Sequence, residues 1–193
     1  QIVHKVAPSI DFYQIPQTWR RAEMVHLGPI AQEVDPSLAR RFPDAFLGIT
    51  PQGWLREWDH EGLISRSEWP EADYVLQNAR ASVVSIDDVS ADYQRIEEMA
   101  AFSQILVVTE GKRGCRVYKE GDMRSFPASD FEELDATGAG DIFATVFFVH
   151  LQRTNNPWDA AILANQLAGI SVTRRGLDSV PTQDEIYSAL VEV

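Results

Sequence analysis

The chain is short of cysteine: Cys115 is the single thiol in 193 residues. That excludes an internal disulfide framework and fits a reducing compartment. Basic residues are also scarce, since 17 Lys and Arg stand against 29 Asp and Glu and leave a formal net charge of −12. A surface of that sign repels phosphate backbones and anionic lipid, so neither nucleic acid nor a membrane surface is an expected partner. An anionic small molecule would need a local positive pocket against that field. No apolar run approaches the roughly 20 residues of a membrane span. Together with the lone thiol, this gives a cytoplasmic location as the expectation. The sequence begins Gln1-Ile2-Val3, with no initiator Met and no signal-peptide pattern in its first residues. Processing would explain that start, as would a beginning partway into a longer protein. No repeat or low-complexity tract is visible. G-x-x-x-x-G-K-[ST] is absent, and so is G-x-G-x-x-G after a strand, which sets aside the Walker-A and dinucleotide-binding readings. The four histidines, His4, His26, His60 and His150, show no metal-ligand spacing. His26 sits in an apolar run and reads as a core residue, and Cys115 reads as buried and inert.

What is present is a rhythm of short apolar runs and longer amphipathic ones. Segments 22–28, 44–50, 82–86 and 104–109 read as buried strands, with a short helix at 36–42. Residues 90–102 place Tyr93, Ile96, Met99 and Ala100 on one face, a helical spacing with Ser90 as the expected N-cap. Residues 115–128 read as a hairpin turned at Glu120-Gly121-Asp122. Helices are expected at 139–152, at 157–173 with Pro157 in the first turn, and at 182–191 with Thr182 as cap. Strands alternating with helices predict an α/β fold: a mostly parallel central sheet covered by helices in three layers, α/β/α. Residues 51–70, "PQGWLREWDHEGLISRSEWP", break the rhythm. They read as a structured loop, serving either as aromatic packing or as a wall of a substrate pocket.

The stretch "DATGAGDIF" (135–143) puts small residues at the mouth of a helix. Backbone N–H groups there are unpaired and carry a partial positive charge, and Gly138-Ala139-Gly140 lets an anion reach them. Asp141 then stands beside the anion. One reading makes it the base that accepts a proton from an attacking hydroxyl; the other makes it a first-turn acid that complements the helix dipole. "TEGKRG" (109–114), after the strand ending at Thr109, could offer backbone N–H groups and Lys112 to a nucleotide, or could be a plain entry turn with solvated basic residues.

Taken together, "VVTEGKRGCRVY" (107–118), "DATGAGDIFATVF" (135–147) and "ANQLAGISVTRRG" (164–176) resemble the ribokinase-like (PfkB) carbohydrate kinases. The resemblance runs from about Val25 to the end and is most specific from Val107 to Pro181. It implies a ribokinase-like fold and transfer of the γ-phosphate of ATP to a hydroxyl of a sugar, a polyol such as inositol, or a nucleoside. By that resemblance Asp141 is the catalytic base, and Gly138, Ala139 and Gly140 form the anion hole. Thr109, Gly111 and Gly114 line the nucleotide, and Asn165 lies near the adenine; Lys112, in the same loop, is kept as a further nucleotide contact from the local reading. Asp135 and Thr137 resemble the residues that hold a monovalent cation such as K⁺, with backbone around Ser171, Arg174 and Gly176 closing that site.

Two departures stand out. Where the family carries Asn-x-x-Glu, tied to Mg²⁺ and phosphate, this chain has "VVSIDDVS" (83–90). Asp87 or Asp88 could organise water around Mg²⁺, or the pair could cap the following helix. The family's first half, with its lid and sugar-gripping acid, has no counterpart, and Gln1 enters the fold after the lid. Residues 1–193 are therefore expected to form a single α/β domain. It would be the C-terminal, nucleotide-binding part of such a kinase, either a fragment or a reduced relative, with little activity alone. The strand ends at Gly28 and at Gln52-Gly53 are the remaining candidates to touch substrate, since they open on one edge of a parallel sheet. An open strand edge near the N-terminus also allows a homodimer. The rival reading is a noncatalytic module that binds a nucleotide or a sugar phosphate on the same anion cradle.

Overall fold

The apolar runs at 46–49, 81–85 and 105–109 form strands that are buried on both faces. A computed structural model describes residues 2–192, without the Glu192 side chain; Gln1, the expected entry point, and Val193 lie outside the described residues. The chain divides into two compact units. The first is Gln1–Leu106 with Lys119–Gly121, and the second is Val107–Tyr118 with Asp122–Val193.

In the first unit, β1 (Met24–Leu27) pairs in parallel with β2 (Phe46–Ile49), in a register that sets Leu27 beside Ile49. The hairpin β3 (Arg56–Trp58) and β4 (Ile64–Arg66) forms a separate two-stranded sheet. After helix α1 (Ala72–Asn78), β5 (Ala81–Ser85) pairs in parallel with β2. Helix α2 (Tyr93–Phe102) leads to β6 (Ile105–Thr109), and the hydrogen-bonded order here is β1-β2-β5-β6. Leu47, Ile49, Val83, Val84, Ile105 and Leu106 are buried, as strands covered on both faces require.

In the second unit, β6 is followed by β7 (Cys115–Lys119) and β8 (Asp122–Phe126), in the order β6-β7-β8. Three helices follow: α3 (Ala139–Thr154), α4 (Pro157–Ser171) and α5 (Gln183–Glu192). Phe143, Phe147, Phe148 and Leu151 of α3 and Leu163 and Leu167 of α4 are buried. The side chain of Asn156 caps α4 through the N–H groups of Trp158 and Asp159, with Pro157 at the first helical position. Thr182 and Glu185 form a reciprocal capping box on α5: Glu185 N donates to Thr182 Oγ1 (3.3 Å), and Thr182 N donates to Glu185 Oε2 (2.7 Å). The Thr182 N–H first, and its hydroxyl and Arg174 after it, hold the Glu185 carboxyl below its ordinary range. The chain thus has the expected α/β fold, a mostly parallel sheet with flanking helices.

Several local expectations change. Residues 51–70 contain the β3–β4 hairpin rather than a loop, and Trp54 stacks on Trp69 beneath it with ring centroids 5.3 Å apart. Helix α1 was not expected. Helix α2 starts at Tyr93, and its cap is Asp92, whose Oδ1 accepts from Arg95 N (3.1 Å). Ser90 cannot cap it, because Ser90 and Ala91 sit at φ 52° and 55° in a left-handed turn that ends before the helix. The helix near 36–42 is a 3₁₀ turn, Pro36–Arg40, capped by Asp35. His26 is exposed rather than in the core, since β1 is the outer strand of its sheet, and its Nε2 lies 2.9 Å from Thr50 Oγ1. Cys115 is buried, and burial pushes its thiol up to about 12.

Candidate functional site

In the second unit, the loop before α3 is shaped by glycine. Gly138 caps the helix at φ 83°, a left-handed conformation that side chains rarely adopt, and a Cβ on Gly138 or Gly140 would meet open space. Ala139 N donates to Ala136 O (3.2 Å) and Ile142 N to Gly138 O (3.0 Å). Among the described residues, the N–H groups of Gly140 and Asp141 have no acceptor. Two bare donors therefore face outward at the positive end of a 16-residue helix, and the Asp141 carboxylate is exposed in the same turn.

The approach to this loop is held from behind. Leu134 N and Asp135 N both donate to Val172 O (2.8 and 3.0 Å), and Asp135 Oδ1 accepts from Thr137 N (2.9 Å). The Thr137 N–H, aided by the Thr137 hydroxyl, the Gly176 N–H and Arg175, holds the Asp135 carboxyl below its ordinary range. Asp135, Thr137 and the turn at Gly176 are thus gathered in one place.

The loop 109–114 closes on itself, with Glu110 N donating to Gly114 O (2.7 Å) and Gly114 N to Gly111 O (2.9 Å). Gly111 (φ 58°) and Gly114 (φ 93°) both need left-handed backbone, and a Cβ on Gly114 would collide with Phe126 O and Ala128 N. Thr109 ends β6. Lys112 is exposed and pairs with Glu133 (3.2 Å). Asn165 is buried, and its Nδ2 donates to Phe126 O (3.0 Å) and Cys115 Sγ (3.5 Å), which ties α4 to β7 and the end of β8.

In the first unit, the strand-end loops after β1 and β2 pack on each other. Gly53 is buried, its N–H donates to Pro29 O (2.8 Å), and a Cβ there would strike the backbone of Pro29 and Ile30. A Cβ on Gly28 would lie 3.1 Å from Thr50 Oγ1. Gln52 Nε2 donates to Asp88 Oδ1 (3.0 Å), and Ser85 N donates to Asp88 Oδ2 (3.3 Å). Asp88 therefore does not cap α2, and neither does Asp87, whose N–H donates to Ser85 Oγ (3.2 Å). A pocket of about 430 Å³ opens here, lined by Gln52, Ser85, Asp87 and Asp88 and, across from the strand ends, by Arg56 and Arg66 of the hairpin. The two arginines went unread in the sequence, although alternation around Asp59-x-x-Gly62 is a hairpin signal. Among the described residues no cluster of three His, Cys, Asp or Glu side chains could enclose a metal ion.

The pfkB family carbohydrate kinase pattern matches residues 70–184, more than half of the chain. The chain belongs to the pfkB family. Among relatives of this pfkB protein, the inositol 3-kinase of Zea mays is 30% identical over 137 residues, covering 69% of this chain and 34% of that one. The probable fructokinase-5 of Arabidopsis thaliana is 28% identical over 185 residues, covering 84% of this chain and 56% of that one. The chain spans about one third to two thirds of the length of the curated relatives it matches. Among solved structures, the ribokinase of Thermotoga maritima superposes with a TM-score of 0.68 at 20% identity, over 88% of this chain and 57% of that one. A pyrophosphate-dependent myo-inositol-1 kinase converted by two substitutions into a myo-inositol-3 kinase superposes with a TM-score of 0.82 at 17% identity, over 99% of this chain and 70% of that one. At such identities the likeness establishes the fold, which is ribokinase-like. No helix among the described residues is long and apolar enough to cross a membrane.

Proposed function

We propose that this pfkB protein is an ATP-dependent phosphotransferase that moves the γ-phosphate of ATP to a hydroxyl of a sugar, polyol or nucleoside. The observation that carries this reading is the pair of unpartnered N–H groups on Gly140 and Asp141 beside an exposed carboxylate. Donors held in place by a helix, rather than recruited during reaction, stabilise charge as it develops on a transferring phosphoryl group. An acid beside such a cradle repels bound phosphate unless it takes up a proton. In the proposed step, the acceptor hydroxyl gives its proton to the Asp141 carboxylate while its oxygen bonds to the γ-phosphorus. The bond from that phosphorus to the β-phosphate bridging oxygen breaks, and ADP leaves.

The other residues take supporting roles. Gly138, Ala139 and Gly140 form the small-residue anion hole that lets the phosphoryl oxygens reach the free N–H groups of Gly140 and Asp141. Thr109, Gly111, Lys112 and Gly114 run along the nucleotide, with Asn165 toward the adenine, and Gly28, Gln52 and Gly53 stand on the acceptor side. The carboxylate of Asp88, oriented by Gln52 and Ser85, has the hard oxygen donors that suit Mg²⁺ held through water. When bound, that ion neutralises phosphate charge. Asp135 and Thr137 offer oxygens of the kind a monovalent cation takes.

The test is Asp141→Asn in the intact protein. We expect ATP affinity to be nearly unchanged while kcat falls by about 10²–10⁴. Turnover near the wild-type rate would remove Asp141 from the base role and favour a module that only binds nucleotide.

A further inference from the structure

The β3–β4 hairpin carries an unfavourable arrangement of charge. Its register sets Arg56 directly opposite Arg66. Residues so placed share one face with Cβ atoms about 4.5–5.5 Å apart, and like charges there destabilise a hairpin. The register also admits no easy escape, because a one-residue slip would turn every side chain of the hairpin to the other face. Arg66 is compensated, since its Nη2 lies 3.1 Å from Asp92 Oδ2. Arg56 is not: among the described residues its guanidinium has neither an ion pair nor a hydrogen bond, although the residue is half-buried. Only its carbonyl is used, accepting from Gln32 Nε2. Both arginines line the pocket of about 430 Å³ in the first unit. In a chain with a net charge of −12, a guanidinium on a half-buried residue left without a carboxylate is a cation free to meet a ligand.

We propose that Arg56 is the anion-recognising residue of a ligand subsite in this pocket, and that its ligand is a small polyhydroxylated molecule carrying an oxyanion. The guanidinium offers a fixed fork of donors that matches a phosphate or a carboxylate, and an anion over the Arg56–Arg66 rung relieves the repulsion within it. The far wall of the pocket specifies the rest of the ligand. A simple oxyanion would be repelled by Asp87 and Asp88, whereas hydroxyl groups donate well to carboxylates. Asp88 is already aimed by Gln52 and Ser85 N. A ligand with hydroxyls at one end and an oxyanion at the other satisfies both walls. Phosphorylated polyols and sugar acids share this chemistry. The inference deepens the proposed function, on which it rests for the idea that a polyol binds here at all, by adding a charged group to the ligand.

The experiment measures binding by titration calorimetry without nucleotide, on the wild-type protein and on Arg56→Ala and Arg56→Lys. The probes are myo-inositol, a myo-inositol monophosphate, gluconate and inorganic phosphate. We expect at least one anionic polyol to bind wild type about tenfold or more tighter than myo-inositol, and Arg56→Ala to abolish that preference. Arg56→Lys should recover part of it, because charge returns without the fork. The inositol phosphate and gluconate arms separate a phosphate source from a carboxylate source. Thermal melting of Arg56→Ala should match or exceed wild type, since the guanidinium has no partner to lose and its repulsion of Arg66 is relieved. Equal affinity for charged and neutral polyols, unchanged affinity in Arg56→Ala, or no binding of any probe would overturn the proposal. Failure of the kinase reading is a separate result, seen in Asp141→Asn turnover, and leaves these titrations unaffected.

Discussion

The two units prepare their loops by opposite means. In the second unit the loops at 109–114 and 135–141 are built from backbone: glycines at positive φ, bare N–H groups, and self-closing hydrogen bonds within the chain. In the first unit the pocket is built from side chains, with Gln52 steering Asp88 and two arginines facing each other across a hairpin. A backbone loop is indifferent to which side chains surround it, but an added Cβ harms it where the backbone is crowded, as at Gly114, or where a ligand must approach. A side-chain pocket is the reverse. Under the proposed function, the backbone loops would meet phosphate and the side-chain pocket would meet a polyol.

Substitutions can break or sharpen this contrast. The largest effect on stability should come from Gly114→Ala, where a methyl group would meet strained φ and the carbonyl of Phe126 together. We expect a loss of about 2–5 kcal/mol by denaturant unfolding. A loss within error of zero would mean that the loop is not held by its glycine. Gln52→Ala, on the side-chain face, should cost about 1 kcal/mol, the worth of one hydrogen bond to a charged group discounted for partial exposure. It should also lower affinity for polyol ligands; an unaltered affinity would detach Asp88 from its supposed guide. Gly140→Ala should cost no stability at all and should raise it by up to about 1 kcal/mol, because α3 continues through that position and a Cβ there meets open space. Its effect should appear only as weakened nucleotide binding, which separates a glycine kept for approach from one kept for folding.

The same contrast explains what could be read in advance. The cradle at 138–141 is a local pattern, small residues followed by an acid and an apolar run, and its geometry follows from helix-end physics within five residues. The parallel strands were legible because burial on both faces leaves continuous apolar runs such as "ILVVT" (105–109). The β3–β4 hairpin was not, since each strand has three residues and carries Arg, Glu or Ser. Its Arg56–Arg66 rung depends on register, which a one-residue slip would reverse. Gln52 and Asp88 meet across 36 positions of chain, and no local spacing announces such a pair. Ser90 and Asp92 are both ordinary caps by composition; the left-handed turn at Ser90-Ala91 decides between them. His26 looked like a core residue because strand neighbours conceal which strand is outermost.

The most direct test of the account is hydrogen exchange of the protein with and without ADP. If backbone donors bind the phosphates, protection should rise at 109–114 and at 138–141 together, and most at the amides of Gly140 and Asp141, which have no acceptor in the free protein. Protection confined to 51–70, with the two glycine loops exchanging as before, would contradict it.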